Sequence, residues 1–115
     1  MSSGGMRVVA DELREIAFGA IGVNLTPIGA VFENPIRILS IKNDTDADLY
    51  FSYNGVTAQE YLPAQTGIVL DFTSNSGATV FPLIAAGTTI YVSQNAVVAP
   101  TSGLVSISAY HCIGD

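Results

Sequence analysis

From Ile36 onward the chain alternates. Leu49, Phe51 and Tyr53 are interleaved with Tyr50 and Ser52, and Ile68, Leu70 and Phe72 with Val69, Asp71 and Thr73. Ile90 and Val92 flank Tyr91, with Ser93 following, and Val105, Ile107 and Ala109 are spaced by Ser106, Ser108 and Tyr110. Successive side chains of a strand point to opposite faces, so a period of two with one polar set marks half-buried strands of antiparallel sheets. The β-branched run Ile36 to Ile41, bounded by Pro35 and Asn43-Asp44, is a further strand. Turn clusters separate these segments at 43–46, 54–55, 63–67, 74–77, 86–87 and 100–103. Short strands with turn signals between them predict a sandwich or barrel, and two sheets packed face to face bury all the apolar sides at once. The predicted core is Ile38, Leu49, Phe51, Leu70, Ile90, Val105 and Ile107, or the opposite set in any strand whose register is read one residue out.

The first third carries two patterns. Leu13, Ile16, Ala17, Ala20 and Ile21 fit a helical stripe with Asp11 as N-cap, while Ile16, Phe18 and Ala20 fit alternation. Gly19 and Gly22 weaken a helix there. An extended arm followed by a first strand is the better reading. The expected organisation is a flexible N-terminus over 1–12 and a single domain over 13–115, with the arm and first strand in 13–32.

Composition changes this picture by what it leaves out. The 115 residues carry a net charge of −6 with only four Lys and Arg, which argues against binding nucleic acid or anionic membranes. No apolar run reaches the roughly 18 residues of a spanning helix, and the start has no apolar region after a basic one, so no signal peptide is expected. A soluble protein made in a cytoplasm is expected. The lone cysteine, Cys112, has no partner for a disulfide within the chain. Charged residues make up 12% of the chain, about half the usual share of roughly 25%, so its skin is neutral and partly apolar. Such a surface suits contact with other subunits.

Candidate chemistry is thin. Asp44, Asp46 and Asp48 resemble the opening of a calcium loop, but the sixth and twelfth positions, which want Gly and Glu, are Leu49 and Gly55. A polar turn whose side chains bond nearby amides is the better reading. His111 and Cys112 are neighbours, which on a strand face opposite ways, and one His with one Cys cannot complete a zinc site within one chain. Glu60 and Asp71 are the only carboxylates between Asp48 and Asp115, and a glycosidase pair would need them in one cleft. No nucleophile-elbow or phosphate-loop motif appears. Neither catalytic residues, cofactor nor metal is expected. Tyr50 and Tyr91 project opposite to their apolar neighbours, as wet-rim interface tyrosines or as a platform for sugar rings.

Taken in order, the runs LREIAFGAIGVNLTPIG, NPIRILSIKNDTDADLYFSYNG, LPAQTGIVLDFTSN, AAGTTIYVSQ and APTSGLVSISAYHC resemble small virion proteins of tailed bacteriophages. The likeness covers about 13–112 and rests on an extended N-terminal segment, an N-x-TD turn entering a strand that ends in S-Y-N-G, and a late PTSG-x-V strand. The start, MSSGGMRVVADE, matches no fixed pattern. The resemblance implies an all-β, antiparallel β-sandwich, jelly-roll-like, with an extended N-terminal arm, present in many copies. It implies capsid decoration or cement, or a ring or sleeve at the head–tail junction or tail. The implied partners are further copies and other virion proteins (major capsid, portal or adaptor, and tail proteins), and the implied location is the virion, assembled in the bacterial host cytoplasm. The arm, about 7–32, is expected to lie across a neighbour, and the candidate contact residues are Leu13, Ile16, Phe18, Ile21, Leu25, Tyr50 and Tyr91. The alternative is a carbohydrate- or host-receptor-binding module of the virion.

Overall fold

The computed structural model describes residues 7–71, 84–95 and 98–113. Among the described residues, nine strands form two antiparallel sheets: β1 (Arg7–Ala10), β2 (Arg14–Ala17), β3 (Thr26–Pro27), β4 (Ile38–Asn43), β5 (Leu49–Ser52), β6 (Glu60–Leu62), β7 (Thr66–Asp71), β8 (Tyr91–Gln94) and β9 (Leu104–Ile113). One sheet runs β1-β9-β4-β7, with β2 also paired to β9, and the other runs β3-β8-β5-β6.

The order has a simple origin. β2 pairs with β9, β3 with β8, β4 with β7 and β5 with β6. These are the pairings of one long hairpin whose tip is the β5–β6 turn. Rolling that hairpin on itself adds the pairs β4–β9 and β5–β8 and divides it into two sheets. Eight strands in this arrangement are a jelly roll. Rolling turns the apolar sides of the alternating strands inward, which gives the hydrophobic effect its largest return for a chain of such segments.

The core is the set of side chains so enclosed. Leu39, Ile41, Leu49, Phe51, Val92, Val105, Ile107 and Ala109 come from the strands, and Ile21, Ile28, Phe32, Ile36 and Ile90 from the segments between them. Five of the predicted core positions, Leu49, Phe51, Ile90, Val105 and Ile107, are buried. β4 has the opposite register: Leu39 and Ile41 face inward and Ile38 is only half-buried. Leu39 lies between Leu70 and Ala109, and Ile41 between Ile68 and Ile107, so the cross-strand neighbours select this face. Leu70, on the edge strand β7, is half-buried and packs on the core from its margin.

Among the described residues of the first third, 7–37, the chain is largely extended, with one 3-10 turn at Phe18–Ala20 in place of a helix. Residues 7–10, expected to belong to a flexible start, are strand β1, held along the end of β9. Residues 1–6 of that start lie outside the described residues, as do Phe72 and the turn at 74–77. The arm pairs with its own β9 in two stretches, Arg7–Ala10 opposite Tyr110–Ile113 and Arg14–Ala17 opposite Leu104–Ile107. Between them Asp11, Glu12 and Leu13 face only Ser108 and Ala109, a bulge of one extra residue.

Candidate functional site

Four of the loops that carry the chain from one sheet to the other meet at one end of the sandwich. They are 18–25 between β2 and β3, 44–48 between β4 and β5, 63–65 between β6 and β7, and the described residues 95 and 98–103 between β8 and β9. The aspartate-rich stretch lies at their centre and acts as the tie. Asn43 is fully buried. Its Nδ2 donates to the carbonyls of Ala47 (2.9 Å), Leu62 (3.0 Å) and Pro63 (3.2 Å), and its Oδ1 accepts from the Thr45 N–H (3.0 Å) and hydroxyl (2.6 Å). Asp46 accepts from the N–H groups of Thr101 (2.8 Å) and Ser102 (3.3 Å) and from the Thr101 hydroxyl. Asp48 accepts from the Ala64 N–H (2.9 Å) and the Tyr61 hydroxyl (2.8 Å).

These donors set the protonation of the loop. The Thr101 hydroxyl, then its N–H, hold the Asp46 carboxyl below the usual carboxylate value. The Ala64 N–H, then the Tyr61 hydroxyl, do the same for Asp48, whose carboxylate in turn pushes the Tyr61 phenol up. Burial, reinforced by Glu60, pushes the Tyr53 phenol up as well. The three aspartates do not converge. Among the described residues no group of three His, Cys, Asp or Glu is placed to hold a metal ion. Asp46 and Asp48, expected to bond nearby amides, instead reach segments distant in sequence, because the rolled hairpin brings those loops together. The local bond to a backbone amide is made by Asn43, to Thr45.

Backbone bonds complete the tie: Asp44 N to Leu104 O, Gln94 N to Gly22 O, Asn95 N to Asp48 O and Phe18 N to Gly103 O. Gly103 has φ +91°, and a Cβ there would lie 2.1 Å from the Asp44 carbonyl oxygen. The loops thus form one braced platform. Phe18, Val23 and Val98 project from two of them, 38%, 66% and 50% exposed.

The candidate contact residues divide. Leu13 and Phe18 are exposed, while Leu25 is half-buried. Ile21 is turned into the core and Ile16 packs against its edge, so in this conformation neither offers a free surface. Tyr50 and Tyr91 share the outer face of the β3-β8-β5-β6 sheet. Tyr50 meets Tyr61 at 5.4 Å between ring centres, tilted by 47°. Tyr91 is covered by the turn after β5, where Gly55 (φ +74°) lies so close that a Cβ would be 2.9 Å from the ring. That turn is the expected Asn54-Gly55 bend: Asn54 Oδ1 accepts from the N–H groups of Val56 and Thr57, and pairing resumes at Glu60.

Two features had no local signal in the sequence. Asp11, read as a helix cap, sits in the bulge with its Oδ1 2.5 Å from His111 Nδ1, both side chains largely buried. Arg14 binds the carbonyls of Ala30 (2.8 Å), Glu12 (2.8 Å) and Val31 (3.3 Å) and lies over the Phe32 ring at 4.3 Å, fastening the arm to the segment after β3. A shallow polar hollow of about 240 Å³ opens beside it, lined by Asp11, Glu12, Arg14, Glu33 and Asn34 among others. Glu60 and Asp71 stand on different sheets. No family model, curated protein or solved structure matches the chain.

Proposed function

We propose that the chain is a non-enzymatic structural protein of a tailed-phage virion. It assembles in many copies as a capsid decoration or cement protein, or as a ring or sleeve component of the head–tail junction or tail. The observation that carries this reading is the braced end of the jelly roll, where Phe18, Val23 and Val98 stand exposed on loops fixed to one another. A rigid platform with apolar side chains and a charge-poor skin is suited to contact, because little ordering entropy opposes docking. The ordered likeness of the segments to small phage virion proteins supports the same assignment, as does the jelly-roll topology, which serves capsid and lectin domains alike. Its partners would be further copies and capsid, portal, adaptor or tail proteins, and its place the virion assembled in the host cytoplasm.

Counting this chain in purified particles by quantitative mass spectrometry tests the proposal. Many copies in each particle are expected, and absence from particles overturns it. The Tyr50–Tyr61 pair on the outer sheet face favours the second reading, a carbohydrate- or receptor-binding module. A glycan array separates the two: binding lost in Tyr50→Ala and Tyr61→Ala chains would establish the module.

A further inference from the structure

We propose that, when copies are packed together, the arm Arg7–Ala17 leaves its own β9 and pairs in the same register with β9 of a second copy. This rests on the multi-copy reading above.

The arm is built to be separable. It lies along one side of β9 and is joined to it by backbone pairing. Among its described side chains, the attachments are Ile16 against the core margin, Asp11 to His111, and Arg14 to the carbonyls of Ala30 and Val31 and to the Phe32 ring. Glu12, Leu13, Glu15 and Ala17 are exposed. All the groups that receive the arm belong to the body of the sandwich, so the same contacts form whichever chain donates it. The bulge at 11–13 pins the register, so the vacated edge is matched to this segment of a second copy.

The hinge is visible. Phe18–Ala20 is a 3-10 turn with no buried residue, between the arm and the core anchor Ile21. Opening it gives up the bonds from Phe18 N to Gly103 O and from Ile21 N to Phe18 O, while a Cβ added at Gly19 would meet no atom within 4 Å. It also lies on the braced loop end, beside Val23 and Val98, where the proposed contact brings a neighbour closest.

Closed and exchanged forms share their contacts, so concentration decides between them. A tether of a few residues holds the arm at an effective concentration on the order of 1 mM. Dilute chains therefore stay closed, and chains held side by side exchange. The arm then turns weak neighbour contacts into a lock.

The test uses full-length chains carrying Cys112→Ser. One carries Glu15→Cys and the other Ser106→Cys, positions directly opposed across β2 and β9. They are mixed at about 1 mM, matching the tether's effective concentration, and at about 10 µM, roughly a hundredfold below it, equilibrated and oxidised. Ala17→Cys with Leu104→Cys, divided between chains in the same way, is a second reporter. A single chain with Lys42→Cys and Ser106→Cys, opposed across β4 and β9, must close internally and so shows that the sandwich is folded. Both arm reporters should give a disulfide heterodimer at high concentration, weaker by roughly tenfold or more at low concentration. If the body control closes and no heterodimer forms, arm exchange is wrong. The multi-copy reading is then judged separately by the particle count.

Discussion

Replacing Asn43 by alanine removes the centre of the loop tie, and the loss can be worked out bond by bond. Asn43 is fully buried and serves three carbonyls and two Thr45 donors. Three of those groups keep another partner: the Thr45 hydroxyl still donates to Ala47 O, and Pro63 O still receives the Thr66 hydroxyl. The Thr45 N–H and the Leu62 carbonyl lose their side-chain partner. At about 1–3 kcal/mol for each buried group left unsatisfied, the expected loss is about 2–6 kcal/mol. That is a large part of the roughly 5–15 kcal/mol that holds such a domain. Urea unfolding at neutral pH should show a lower midpoint with an unchanged slope, and the melting temperature should fall by roughly 10 °C or more. Asn43→Asp keeps the shape and the Oδ1 acceptor but aims a carboxylate oxygen at three carbonyls, so it should be at least as damaging. A loss below about 1 kcal/mol for Asn43→Ala, or tolerance of Asn43→Asp, would refute the assigned network.

Three further outcomes follow from the same contacts. Gly103→Ala sets a Cβ at φ +91° against the Asp44 carbonyl and should destabilise by more than about 3 kcal/mol in chemical denaturation, because backbone rather than a side chain must move. Asp46 and Asp48 have folded pKa values depressed below the unfolded 3.8, so their stabilisation is present above that unfolded value and lost as pH falls through the folded ones; the melting temperature should drop as pH falls below about 4, and Asp46→Asn with Asp48→Asn should flatten that drop. A double-mutant cycle of Asp11→Asn and His111→Gln should give a coupling of about 1 kcal/mol, and each single variant should raise hydrogen exchange along Arg7–Ala10.

The strands were legible where only one face is apolar. Val105, Ile107 and Ala109 alternate with two serines and a tyrosine, and Val105 and Ile107 are buried as predicted, with Ala109 beside them. β4 misleads because Ile36, Ile38, Leu39 and Ile41 place apolar residues on both faces, and only the neighbours Leu70, Ile68, Ala109 and Ile107 decide which side turns in. The arm was ambiguous for a similar reason: local propensity weighs little against the pairing that β9 offers across some 90 residues of sequence. The loop tie was half visible. An Asx-rich turn announces itself, but Asp46 finds Thr101 55 positions away and Asp11 finds His111 100 positions away, and no local pattern encodes such meetings. They follow from the rolling of the hairpin, which brings the crossing loops together only once both sheets exist.

High-resolution imaging of purified particles decides whether this chain is a many-copy virion component. Jelly-roll density of the chain is expected at many equivalent positions, with the loops bearing Phe18, Val23 and Val98 set against a neighbour. Particles without that density, together with a monomeric chain that turns over a substrate, would contradict that role.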